Sequence, residues 1–294
     1  MLKNHDMKKV LRWIKQLLML AGYFLRSDEW SFNKFPDLDR YNGRKALVMG
    51  NGPSLKELLK KYRNGEACIP QDSFFVNFAP LDPLFYEIKP LHLCISDFIF
   101  ARDTPGRTEM TRRLYDLLEA KVDWDLTIYL NFTKREYCRQ LIDYSRIKNP
   151  NIRFVFLNRK HCSELIPRLR HKLYKKGLFM PEEGTVVNTA IYLALIEGYK
   201  EIELYGVEHN MFLNLRVDER NRLCIYEKNF YDAEGKMVPV INDTDGSTAH
   251  IHEYMHFIYV MFRSHYLLRQ FADYMGATVW NCTPGSMIDV YERR

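Results

Sequence analysis

What this chain lacks narrows it first. Its six cysteines (Cys68, Cys94, Cys138, Cys162, Cys224, Cys282) are widely scattered and include no C-x-x-C pair. That argues against a disulfide framework and a cysteine-rich zinc module, and makes reduced thiols in a cytoplasm the simplest reading. Arg/Gly repeats and basic-aromatic alternation are also missing, so a net charge of +6 does not mark a dedicated nucleic-acid binder. A negatively charged substrate or membrane surface suits that charge. No apolar run is long enough to span a bilayer; the N-terminal one, Leu17 to Leu25, is too short. What remains is a chain of 294 residues, 47% hydrophobic, able to bury a large core.

The stretch "KKVLRWIKQLLMLAGYFL", Lys8 to Leu25, interleaves Lys8, Lys9, Arg12 and Lys15 with Val10, Leu11, Trp13, Ile14, Leu17, Leu18 and Leu20. A basic helix with Trp and Leu on its other face suits an anionic membrane interface. A helix packed on the domain, or on a second subunit of a homo-oligomer, accounts for the same pattern. So does a signal peptide, although no small-x-small cleavage site follows. "RSDEWSFNKFPDLDRYNG" reads as a polar linker. Residues 1–44 are therefore expected to form a basic amphipathic helix and linker, and 45–294 a single domain.

"ALVMGNGPSLKELL", Ala46 to Leu59, runs a short apolar strand into a turn and then a helix. Gly50 and Gly52 open backbone conformations closed to other residues, and Pro53 suits a first helical turn that Leu55, Leu58 and Leu59 continue. With Asn51 and Ser54, this turn sets unpaired amides at the positive end of a helix dipole, a natural phosphate site. An ordinary strand-to-helix turn fits equally. No Gly-Lys-Ser/Thr follows, which excludes a P-loop, and Leu55 stands where a dinucleotide fingerprint has its third glycine.

Further strands are expected in "SFFVNF", "LHLCIS", "LTIYLN" and "IRFVFLN", with helices such as Met110 to Ala120 and Lys134 to Tyr144 between them. This alternation predicts an α/β fold, a Rossmann-like mostly parallel sheet with helices on both faces. Ligands of such sheets sit beyond the carboxyl ends of the strands, so Asn77, Asp97, Asn131 and the glycine turn should share one rim. Turn chemistry alone also explains each strand-end polar residue. In "EEGTVVNTAIYLALIEGYKEIELYGVEHNMF", a small-and-apolar helix ends at Gly198 and a strand runs into Gly206, Glu208, His209 and Asn210. Gly184 and Thr185 precede that helix as a second amide cluster for a phosphate or carboxylate. Residues from about 212 to 249 read as an inserted hairpin or lid.

"STAHIHEYMHFIYVMF" carries His250, His252 and His256, and His252 to His256 match H-E-x-x-H. Three readings stand together. One is zinc on two imidazoles with Glu253 activating water; another is a catalytic base; the third is packing or capping. Neither a third zinc histidine nor a well-placed downstream glutamate follows, since Phe262 and Glu292 hold those positions.

In Gly50-Asn51-Gly52-Pro53-Ser54-Leu55, in Gly198-Tyr199-Lys200-Glu201-Ile202 with Gly206-Val207-Glu208, and in the closing "WNCTPGSMID", the chain resembles the bacterial sialyltransferases of glycosyltransferase family 42. It resembles equally the related DUF115 group, which includes motility-associated flagellin glycosyltransferases. The resemblance runs from Lys45 to the C-terminus. It implies a Rossmann-like, GT-A-like variant with a lid, and inverting transfer of a sugar acid (sialic acid, Kdo or a relative) from a CMP-activated donor, with no cofactor or metal required. The acceptor would be a glycan, glycolipid or glycoprotein, reached from the cytoplasm; the N-terminal basic helix, not the resemblance, is what suggests peripheral contact on the inner face of a bacterial inner membrane.

Residue by residue, the resemblance sets Asn51 to Ser54 against donor phosphate and ribose, Asn77 on the donor, and Thr185 on the sugar carboxylate. It makes His250 or His252, ahead of His256, the base, and Tyr226 and Tyr231 lid residues on the departing phosphate. Val186, Val187 and Glu208 depart from the family pattern. An ATP-dependent pyrophosphokinase of the DUF115 kind, a zinc hydrolase and a catalytically idle binding protein are the alternatives.

Overall fold

The structure is a computed structural model that describes residues 4–25, 35, 38–95, 107–130, 147–158, 160–227, 236–242 and 246–294. Eight strands form one sheet in the order β5-β4-β3-β2-β1-β6-β10-β11, and every pairing in it is parallel. They are β1 (Lys45–Met49), β2 (Ser73–Val76), β3 (His92–Ile95), β4 (Leu126–Leu130), β5 (Ile152–Phe156), β6 (Glu201–Tyr205), β10 (Thr278–Asn281) and β11 (Glu292–Arg293).

Strand alternation builds two cores, one per face. Ala46, Val48, Phe74, Val76, Cys94 and Tyr129 point into the first, while Leu47, Met49, Phe75, Leu93, Ile95 and Ile128 point into the second. Helices α2 (Leu55–Arg63), α3 (Leu84–Ile88) and α4 (Arg107–Lys121) belong with the second core through Leu58, Leu59, Phe85 and Leu114. The first core is covered by α6 (Val186–Ile196) and α7 (Ile251–Met275). Ala190 to Ile196 are buried without exception, which is why this helix is apolar on every side. Each large aliphatic side chain there contributes about 1.5–3 kcal/mol of burial.

The chain is thus an α/β protein of Rossmann-like type, with helices on both faces of the sheet. Strand β2 stops at Val76, two residues short of the apolar run, because Asn77 turns left-handed at φ 48°. Strands β10 and β11, the latter at the edge, were not foreseen; each is too short to show a period. Where a hairpin or lid was expected, β7 (Leu215–Val217), β8 (Leu223–Glu227) and β9 (Lys236–Pro239) form a separate antiparallel sheet. The helix expected over Lys134 to Tyr144 lies outside the described residues.

Ahead of these elements, α1 (Asn4–Leu25) docks on the first core through Met19, Leu20 and Tyr23. Among the described residues no helix is long and apolar enough to cross a membrane. The short helix α5 (Pro167–Lys175) lies beside α1.

Candidate active site at the strand-order reversal

From β1 the chain steps outward strand by strand to β5, then returns to place β6 on the other side of β1. The crevice beyond the carboxyl ends of β1 and β6 is therefore the topological switch point, where ligands of open parallel sheets bind. Two glycine-bearing loops meet there. Gly50 N–H donates to Tyr205 O at 2.8 Å, Gly52 N–H to Gly206 O at 2.8 Å, and Ser54 N–H to Glu208 Oε1 at 2.6 Å. The loops touch so closely that a Cβ on Gly50 would lie 2.2 Å from Gly206 O, and one on Gly52 1.5 Å from Glu208 Oε2.

This geometry changes the chemistry expected of the turn. Gly50, Gly52 and Ser54 spend their amides on protein acceptors, Pro53 has none, and α2 starts at Leu55 just beyond. The anion at the N-terminus of α2 is the protein's own Glu208 carboxylate, in the position anticipated for a phosphate. What remains for a ligand beyond the ends of β6, β2 and β1 is different. Glu208 Oε2, Asn77 Oδ1 and Ser54 Oγ are buried and have no hydrogen-bond partner among the described residues. Two carbonyl-type acceptors and one hydroxyl suit a polyhydroxylated or amino-bearing ligand, such as a nucleoside, better than a bare phosphate.

The loop that carries Glu208 is held from behind by the C-terminal segment. Thr283 Oγ1 accepts from Val207 N–H and donates to Leu204 O, both at 3.1 Å. Ser286 Oγ donates to Val207 O at 2.8 Å, and Met287 N–H to Glu208 O at 2.8 Å. The polar residues of "WNCTPGSMID" therefore act as a brace on the loop.

Gly184 and Thr185 reach the same rim, at the N-terminus of α6. Their amides, however, both donate to Asn188 Oδ1, at 3.2 and 3.1 Å, so this cluster is capped internally and is not open to a carboxylate. Gly184 serves packing instead: a Cβ there would lie 2.5 Å from Met261 Cα, which lets α7 approach.

His209 is the residue that the sequence reading passed over. It directly follows Glu208, takes a left-handed φ of 49°, and is buried with Nε2 unpartnered. Its ring lies 5.1 Å from that of His265, whose Nδ1 is 3.2 Å from Tyr291 Oη. Burial holds His209 down to about 4 and His265 well below the usual histidine range, the latter helped by repulsion from His209. The one available signal was the run Glu208-His209-Asn210 at a strand end.

His250, His252 and His256 stand elsewhere. Helix α7 packs on the switch point through Met261, Phe262 and His265, and His252 lies nine residues before Met261, about 14 Å up the axis. All three histidines are exposed, and the His250 and His252 rings stack at 5.9 Å. Glu253 accepts from His250 N–H at 2.7 Å, so the glutamate of the H-E-x-x-H pattern caps its own helix. Among the described residues no three His, Cys, Asp or Glu side chains gather as a metal-binding group. Tyr226 is exposed on β8 of the small sheet, while Asp97, Asn131 and Tyr231 lie outside the described residues.

No protein-family model matches this chain, and no curated protein matches it.

Proposed function

We propose that the chain is an inverting glycosyltransferase that moves a sialic acid, Kdo or related sugar acid from a CMP-activated donor to a glycan, glycolipid or glycoprotein acceptor. The observation that carries the reading is the meeting of the Gly52 and Glu208 loops at the switch point of the sheet. Beyond the strand ends there, Glu208 Oε2, Asn77 Oδ1 and Ser54 Oγ are buried with no hydrogen-bond partner among the described residues. Such groups suit the hydroxyl and amino hydrogens of a nucleoside. The motif resemblance to family 42 supports cytidine as that nucleoside.

In this reading the sugar acid departs from CMP through an oxocarbenium-like state, and its bond to the phosphate breaks as the acceptor oxygen attacks the opposite face. The departing phosphate needs donors, and the acceptor hydroxyl needs a base. Because the Gly52 and Ser54 amides are committed, the phosphate donors come from the segment of the small sheet, where Tyr226 is the candidate hydroxyl. The base that the resemblance implies is His250 or His252, with His256 one turn further along; because His252 lies about 14 Å along α7 from Met261, the acceptor would meet the sugar at the exposed end of that helix and not against Glu208.

The test is CMP release from a panel of CMP-sugars, with and without EDTA, for the wild type and for His250→Ala, His252→Ala and His256→Ala. Slow donor hydrolysis that survives EDTA and falls with one histidine supports the transferase and names its base. No release from any donor, or release abolished by EDTA, rejects it.

A further inference from the structure

Helix α1 is apolar on two opposite sides. One side is docked: Gln16 is buried and its Oε1 accepts from Ile166 N–H at 2.8 Å, Met19 and Leu20 pack on the first core, and the Tyr23 ring meets Phe179 edge-on at 6.2 Å. These residues recur at helical spacing along one stripe. Among the described residues nothing covers the opposite stripe. Leu11 is 59% exposed, Ile14 47%, Leu18 68% and Leu25 68%, a row of large aliphatics that a domain in water alone does not explain.

The flanks of this stripe are basic. Lys15 is exposed on α1 itself, and α5 presents Arg168 and Lys172 next to Trp13. Trp13, Arg168, Leu169 and Lys172 line a cleft of about 380 Å³ between the two helices. Helix α5 contains no acidic residue, and α1 has one, Asp6. Neither Arg168 nor Lys172 has an ion-pair partner among the described residues.

We infer that α1 and α5 together form a docking face for the surface of an anionic phospholipid bilayer. The aliphatic row would enter the acyl boundary, Trp13 would sit at headgroup level, and Arg168 and Lys172 would meet lipid phosphates around the cleft. Charge selects this occupant over a second copy of the chain. A two-fold contact through the stripe would set one basic rim against another, whereas an anionic surface neutralises it. Because α1 is fixed to the domain through Gln16, binding would also orient the enzyme. The loop that receives Gln16 is tied by His161 to Glu183 at 3.5 Å, one residue from Gly184 on the rim of the crevice. This inference stands whether or not the transferase reading does.

The test is co-sedimentation of the full chain with vesicles of phosphatidylcholine alone, or mixed with an equal amount of phosphatidylglycerol, at low and high salt. The wild type should pellet with the mixed vesicles only, and less at high salt. Leu18→Glu with Ile14→Glu should abolish pelleting, and Arg168→Glu with Lys172→Glu should weaken it about fivefold or more per cation. Leu213→Glu, a change at an exposed leucine (54%) outside α1 and α5, should leave it unchanged. Failure of the wild type to pellet, equal pelleting with neutral vesicles, or undiminished pelleting of the variants would overturn the inference. So would a dimer, seen by sedimentation velocity, that Leu18→Glu dissociates in a chain that binds no vesicles. If a variant loses its circular-dichroism signature, the wild-type headgroup and salt arms decide alone.

Discussion

The Ser54 backbone N–H and the Glu208 carboxylate meet at 2.6 Å across 154 residues of chain, and this bond joins the two loops of the switch-point crevice. One carboxylate oxygen closes the N-terminus of α2, and the other is buried beside Gly52 without a hydrogen-bond partner among the described residues. Structure and ligand binding are thus expected to separate at this residue. Glu208→Gln keeps an acceptor for Ser54 and should change unfolding free energy by less than about 1 kcal/mol, yet weaken CMP binding about tenfold. Glu208→Ala orphans a buried donor and should cost about 1–3 kcal/mol as well. Urea unfolding and calorimetric titration with CMP measure the two effects. Unchanged CMP affinity in both variants would remove Glu208 from the site.

The two glycines of the turn should both prove costly to replace. At Gly52 the nearest obstacle is the end of the Glu208 side chain, but the Gly206 carbonyl would also stand 2.6 Å from the added Cβ, so Gly52→Ala should lose stability as well as CMP binding. At Gly50 the obstacle is the backbone carbonyl of Gly206, which no rotamer change relieves. Gly50→Ala should therefore destabilise the fold by about 1–3 kcal/mol, the range of forced overpacking. Wild-type stability in both variants would refute the close approach of the β1 and β6 loops described above.

Thr283 tests the brace. Thr283→Val preserves shape but strips both hydrogen bonds to the strand-end backbone, leaving the buried Val207 N–H unpaired. A loss of about 1–3 kcal/mol is expected, with weaker CMP binding because the Glu208 loop slackens. A stability loss with full CMP affinity would confine Thr283 to a structural role.

Acid should unfold this protein from an unusually high pH. His92, His209 and His265 are buried and held neutral, all below the ordinary value of 6.5. The unfolded chain takes up protons at these histidines as pH falls through 6.5, while the folded chain does not. Stability is therefore full above about pH 7 and declines below 6.5, at about 1.4 kcal/mol per pH unit for each histidine. Urea midpoints at pH 7.5 and 5.5 check the sign; a flat profile would contradict the burial of all three. For His92 the burial is anchored at the amino end of β3, where Nδ1 and Nε2 each lie 2.9 Å from a tyrosine hydroxyl, Tyr129 and Tyr199.

Local chemistry was enough to reveal the alternating elements and the site of the turn. Apolar runs such as "ALVM" and "LTIYL" have no polar face, so they belong to strands covered on both sides, and Gly50-Asn51-Gly52-Pro53 has no regular structure to join. The sequence by itself therefore determined the α/β class, the glycine-bearing junctions and the helix that carries the histidines. Strand order and long-range partners were decided only by the tertiary structure, because hydrogen bonds between distant segments leave no periodicity in either one. That is how Glu208 came to occupy the anion position of a turn 154 residues away, how Asn188 took the amides of Gly184 and Thr185, and how His209 entered the site while His252 stayed exposed at the far end of its helix.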